Sequence, residues 1–376
     1  MGVEKGFTAA DYYTVKYFEQ MQAQSFFWKV SHAKEVVEGF IEECKIRGKN
    51  YHVSVGGLDS ITLLYFLRDM GVDCPAISVS SLEDRSIQRI HKELGVISLP
   101  SAMRSDGTRW TKAKVIQELG FPVLSKETAL KISTLQHPTE NNKTIRHAII
   151  TGETGAYGGN RTGTRMKMSQ KWLEKFGGYE NENEGVNYGI PNFKVSSDCC
   201  YYLKEKPCAD WAKEHNSVPF LGLMASEHGR REKSLKLNGC NYWGKTTVRS
   251  APFAIFNRND LLGLALVLGV KVPEIYGTIE RDTESGQYYT TRAQRTGCDI
   301  CGFGIHLEKR PHRFDRLRED NPKAWQYWMY DCAEDPVTGE KYGWGRVLDY
   351  IGVDWEDEYV DLEAAQAVAQ TLSGEN

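Results

Sequence analysis

Three groups of residues have types and spacings that could do chemistry. The first is Val55-Gly-Gly-Leu-Asp-Ser60, between the β-branched stretch 51–55 and the apolar run 61–67. Gly56 and Gly57 let the backbone bend sharply and approach a ligand closely. Asp59 and Ser60 fall where an N-cap or a first helical turn belongs. A strand, a glycine turn and a helix N-terminus form an anion site, because N–H groups and the helix dipole converge there. The same pattern also serves as a plain βα connection. The second group is cysteine: tandem Cys199-Cys200, then Lys204-Glu-Lys-Pro207, and far downstream Cys298-Asp-Ile-Cys301. The thiolates of a C-x-x-C converge on one metal or cluster. The third is Glu227-His-Gly-Arg-Arg231, after the apolar stretch 219–224. An arginine fork binds two phosphate or sulfate oxygens at once, which suits Arg230 or Arg231. Glu227 could orient that arginine or a magnesium-bound water. His228 is a possible base, but a surface histidine is the safer reading.

The first group resembles the Ser-Gly-Gly-x-Asp-Ser loop of the PP-loop ATP pyrophosphatases, with Val55 in place of the leading serine and Leu58 at the variable position. The resemblance implies an α/β fold with a parallel, doubly wound sheet. It also implies that Gly56, Gly57, Leu58, Asp59 and Ser60 hold the phosphates of an adenine nucleotide. Gly120-Phe-Pro-Val-Leu-Ser-Lys-Glu127 is similar to a Gly-x-Pro-x-x-Ser-Lys-Glu pattern of the phosphoadenosine-phosphosulfate (PAPS) reductase-like group. On that likeness Ser125 and Lys126 contact phosphate or sulfate; on the residues alone, Ser125 is a helix N-cap. The tandem cysteines with the distant C-x-x-C resemble the cluster-bearing adenylyl-sulfate reductases. Carried over, Cys199, Cys200, Cys298 and Cys301 ligate a [4Fe–4S] cluster. A structural zinc would use the same four thiolates, and Cys240 is a substitute ligand. Gly343-Trp-Gly-Arg-Val-Leu-Asp-Tyr-Ile-Gly352 resembles the closing motif of a subgroup of PAPS reductase-domain proteins. The nucleophile motif of true reductases, Glu-Cys-Gly-x-His, has no counterpart, since Cys332 stands in Asp-Cys-Ala-Glu.

These residues need a scaffold to position them. Residues 8–48 have helical periodicity. Residues 76–79 and 97–99 read as further strands, and 219–224 as the strand before the arginine group. Loop 80–84 follows a strand, where ligand crevices form in such sheets. The expected organisation is a helical segment 1–48, a nucleotide-binding domain 49–290 and a C-terminal C-x-x-C region 291–376. Within the domain, insertion 137–193 carries a short helix near 168–176. Its basic residues Arg161, Arg165, Lys167, Lys171 and Lys175 suit an acceptor-binding loop.

The chain has 376 residues and a net charge of −3, so no global basic field argues for nucleic acid. No apolar run approaches membrane-span length, and the first residues lack an apolar signal region. Nine cysteines without an export signal point to a reducing, cytoplasmic setting.

Three functions are therefore expected in parallel. One is a PAPS reductase-like enzyme using ATP or PAPS beside a [4Fe–4S] cluster, with a sulfur donor or reductant protein as partner. The second is an ATP pyrophosphatase, Mg²⁺-dependent, that modifies nucleic acid as thiolation or phosphorothioation enzymes do. The third is a non-catalytic nucleotide-binding regulator, suggested by Val55 and Leu58.

Overall fold

In the computed structural model, residues 9–154, 166–180, 188–227, 229–298 and 300–357 are described. The chain forms two compact units, each from two stretches: 1–103 with 203–299, and 104–202 with 300–376. The expected segments 49–290 and 291–376 each contribute to both.

The first unit is a mixed α/β layer around a six-stranded sheet. Its spatial order is Ile97–Ser98, Ala76–Ser78, Asn50–Ser54, Ser217–Leu221, Val248–Ser250, Asn241–Trp243. The first five run parallel; only the edge strand Asn241–Trp243 is antiparallel to its neighbour. From Asn50–Ser54 the chain steps outward through two strands, then returns to add Ser217–Leu221 on the opposite side. The chain order therefore reverses beside Asn50–Ser54, and in open α/β sheets ligand crevices form at such reversals.

The strands are short and rich in buried β-branched and aromatic side chains, among them Val53, Ile77 and Phe220, as sheets buried on both faces require. The helical periodicity of residues 8–48 becomes two helices, Ala9–Gln22 and Phe26–Ile46. The second is capped by Ser25, which accepts from the Trp28 N–H. It buries Ala33, Val36, Val37, Phe40 and Cys44 in the core that the sheet shares. Lys29 and Asp260 form a buried ion pair at 2.7 Å, which ties this helix to the start of Arg258–Val267.

The second unit is mainly helical, with an aromatic core containing Phe121, Phe176, Phe193, Phe314, Trp325 and Trp344. Its strand pairings are short, as in the parallel pair Val123–Leu124 with Gly302–Phe303. Among the described residues of segment 137–193 lie two α-helices, Lys143–Thr151 and Gln170–Phe176, where one was expected. Ile145, Ala148 and Ile149 lie at helical spacing, but flanking polar residues dilute the signal. Among the described residues no helix is long and apolar enough to cross a membrane.

Candidate functional site

The strongest convergence of polar side chains in the first unit surrounds the glycine turn at the end of Asn50–Ser54. Helix Leu58–Asp69 starts there, with Gly57 at its N-cap and no side-chain cap bond. Ser60 stabilises the turn from within: its Oγ accepts from the Gly56 N–H at 2.7 Å and donates to the Gly57 carbonyl at 3.0 Å. The Leu58 N–H donates to the Tyr276 hydroxyl at 3.1 Å, which in turn bonds Thr296 Oγ1 at 2.7 Å. The Gly56 carbonyl meets His91 Nε2 at 2.8 Å, and His91 Nδ1 meets Ser80 Oγ at 2.9 Å. A carbonyl only accepts, so His91 carries its proton on Nε2 and takes the Ser80 hydroxyl proton at Nδ1. Burial holds the His91 imidazole below its usual range, consistent with that neutral form.

Two glycines are required by close approach. A Cβ on Gly57 would overlap the Tyr276 hydroxyl and lie 3.1 Å from Thr296 Oγ1. A Cβ on Gly222, just beyond Ser217–Leu221, would lie 3.0 Å from backbone atoms of Asp59 and Ser60. The neighbouring strand thus ends directly against the helix start.

Charged groups of both signs ring the turn. Asp59 pairs with Arg258, whose Nη2 also donates to the Gln294 carbonyl at 3.0 Å. Burial raises the Asp59 carboxyl above its usual range and the charge of Glu227 adds to this, while Arg258 and Arg295 oppose. The carboxylate is recessed without being sealed: 28% of the side chain remains exposed. Glu227, on the 3₁₀ turn Ala225–Glu227, accepts from Arg231 Nη1 at 2.8 Å. Glu83, from loop 80–84, pairs with Lys204 at 2.5 Å and lies close to Gly56. Burial disfavours the Lys204 ammonium, but Cys298 and Glu83 outweigh it and raise its pKa. The Arg258 Nε is buried with no hydrogen-bond partner among the described residues. It is a donor suited to an anion or a water.

Of the residues singled out from sequence, Gly56, Gly57, Leu58, Asp59, Ser60, Glu227, Arg231 and Cys298 belong to this unit. The side chain of Arg230, and His228, lie outside the described residues, as do Arg161 and Arg165. Ser125, Lys126, Cys199, Cys200 and Cys301 belong to the second unit. There Ser125 is the N-cap of helix Lys126–Gln136, accepting from the Thr128 N–H at 3.0 Å. Lys171 lies over the Trp172 ring, and Lys175 donates to the Tyr350 carbonyl at 2.7 Å. These two basic side chains have structural partners. The Cys301 carbonyl accepts from Arg313 Nη1 at 2.8 Å, and that arginine also pairs with Glu308.

The four cysteines have the right donor chemistry for a cluster or zinc. Among the described residues, however, no three His, Cys, Asp or Glu side chains are grouped so that they could hold a metal ion. Cys240 is buried, its thiol pushed up to about 11 by burial against the opposing charge of Arg249, and His32 Nε2 lies 4.0 Å from its sulfur.

Sequence reasoning assigned no role to His91, Tyr276, Thr296 or Arg258. Each is brought to the turn by long-range packing. The one local signal was Asn257, a helix cap that accepts from the Asp260 N–H at 2.9 Å and sets Arg258 at the first helical position. No family model, curated protein or solved structure matches this chain.

Proposed function

We propose that this chain is an adenine-nucleotide enzyme of the PP-loop, PAPS reductase-like type, with the nucleotide phosphates bound at the glycine turn 55–60. One observation carries the reading. The turn joins a parallel strand to a helix N-terminus at the point where the sheet order reverses, and that place combines backbone donors with a favourable dipole. The arginines and the unsatisfied Arg258 Nε beside it support an anionic ligand.

With ATP as substrate, an acceptor oxygen attacks the α-phosphorus, the bond to the bridging oxygen breaks, and pyrophosphate leaves with the displaced electron pair. The acceptor is then an adenylate, from which a sulfur nucleophile expels AMP. The chain's part is positioning and charge stabilisation. If Mg²⁺ accompanies the nucleotide, Asp59 and Glu227 would hold it through carboxylate oxygens, and it would offset phosphate charge. Arg231 and Arg258 offset the charge that develops on pyrophosphate. Cys199, Cys200, Cys298 and Cys301 are the residues we propose for a [4Fe–4S] cluster. Iron and sulfide analysis of anaerobically purified protein tests that separately, with about four of each expected per chain.

The activity test is pyrophosphate release from ATP, with PAPS reduction run in parallel. Release without nucleic acid supports the reading as stated. Release only with DNA or RNA moves it to nucleic-acid modification. Nucleotide binding without turnover leaves a regulator, and no binding removes the reading.

A further inference from the structure

Most backbone polar groups of the glycine turn are already taken. The Gly56 N–H donates to Ser60 Oγ at 2.7 Å, and the Leu58 N–H donates to the Tyr276 hydroxyl at 3.1 Å. The Gly57 carbonyl accepts from Ser60 Oγ at 3.0 Å and from the Ile61 N–H at 3.1 Å. The Gly56 carbonyl meets His91 Nε2 at 2.8 Å. Among the described residues, the Gly57 N–H is the one donor of residues 56–58 left without a partner. The Gly56–Gly57 peptide is trans. In a trans peptide the carbonyl and the following N–H point in opposite directions. The bond from His91 to the Gly56 carbonyl therefore also sets where the Gly57 N–H points, which is away from the imidazole. His91 is itself fixed. It is 1% exposed, on helix Arg85–Glu93, and its Nδ1 meets Ser80 Oγ at 2.9 Å. A ring bonded at both nitrogens can neither turn nor exchange tautomer without losing a bond.

We infer that His91 is a positioning residue for the anion: it holds the Gly56–Gly57 peptide in the orientation that presents the Gly57 N–H to a phosphate oxygen. The inference rests on the nucleotide reading above and adds a residue to it. Without the imidazole the Gly56 carbonyl loses its partner, and a peptide between two glycines turns over at little steric cost. The flipped peptide would face the anion with a carbonyl in place of an N–H. That change removes an attractive dipole and adds a repulsive one. Ser80 keeps the imidazole in the form the task needs: its hydroxyl proton goes to Nδ1, so the ring hydrogen stays on Nε2, toward Gly56. His91 in this state is neutral and contributes geometry without charge.

The test uses inorganic pyrophosphate on the full chain as purified, with affinity from calorimetry and stability from urea unfolding. His91→Met removes the donor to Gly56 at similar bulk. His91→Gln returns an amide N–H near the position of Nε2. In His91→Met, pyrophosphate should bind about tenfold more weakly or worse, the scale of one hydrogen bond to a charged group. His91→Gln should recover most of that affinity, even where the two variants are equally destabilised. A histidine that only supports the fold predicts another pattern, with affinity unchanged in both or falling alike in both. NMR of isotope-labelled histidine in the wild type should show His91 as the Nε2–H tautomer, a check that needs no variant to fold. Wild-type affinity in a folded His91→Met, equal weakness in the Met and Gln variants, or an Nδ1–H tautomer overturns the positioning role while sparing the nucleotide reading. No pyrophosphate binding by the wild type overturns both.

Discussion

The glycine turn of the first unit and the cysteine-bearing second unit use their polar residues differently. Around the turn, side chains from six separate stretches meet: Asp59, Glu83, His91, Glu227, Arg258 and Tyr276. Asp59 and Arg258 pair with each other, His91 and Tyr276 bond the turn backbone, and Glu83 and Glu227 pair with Lys204 and Arg231 beside it. In the second unit the residues singled out from sequence serve their own neighbourhoods. Ser125 caps its helix, and Lys175 bonds a nearby carbonyl. The core beneath them is aromatic, with Phe121 and Phe314 each in ring contact with Trp344. Long-range polar convergence costs stability unless every member is satisfied, so its presence at one place marks that place for function. Local caps and aromatic packing need no such explanation.

The sharpest way to break this contrast is to attack the second unit's core. Trp344 is fully buried, and Trp344→Ala should cost about 3–5 kcal/mol, the usual range for emptying an aromatic site. Urea unfolding would show it. Nucleotide affinity at the turn is expected to survive below the new transition; its loss with the core would erase the distinction between structural and functional residues.

Acid probes the first unit instead. His52 is buried against Ser217, and burial, with His215 adding, holds its imidazole down at about 4 from 6.5. Between those values the unfolded chain binds the proton and the folded chain does not, so stability rises with pH. The contribution is complete above 6.5 and is lost as pH falls toward 4, about 3 kcal/mol in all at 1.36 kcal/mol per unit. Urea midpoints from pH 7 to 4.5 should fall accordingly, and His52→Gln should flatten much of the slope. An unchanged slope in the variant would contradict the assignment.

The smallest effect is expected at Ser125. Ser125→Ala should cost about 1 kcal/mol as a lost cap, read in thermal unfolding, and leave nucleotide affinity unaltered. A fall in affinity would instead contradict the reading of Ser125 as a cap alone.

The contrast also explains what could be read from sequence. The strand, turn and helix at 50–69 were legible because their signals are local: β-branched residues, paired glycines, then an apolar run. Strand 76–78 was legible for the same reason. The strand expected over 219–224 runs instead from Ser217 to Leu221, and Gly222 beyond it lies against the backbone of Asp59 and Ser60. His91, Tyr276 and Thr296 carried no readable signal, since a buried histidine or tyrosine looks alike in any helix or loop until its partner is known. Helix Lys143–Thr151 was hidden by its polar flanks, and packing of Ala148 and Ile149 into the core settles it.

The most direct test of the central claim is calorimetric titration of the full chain with ATP and Mg²⁺, beside Gly57→Ala. The expected result is one saturable site per chain in the wild type. Affinity should fall at least about tenfold in the variant, because a methyl there overlaps the Tyr276 hydroxyl that the Leu58 N–H bonds and so shifts the turn whose backbone donors bind phosphate, while circular dichroism shows it folded. No binding by the wild type, or equal affinity in a folded Gly57→Ala, would contradict the account.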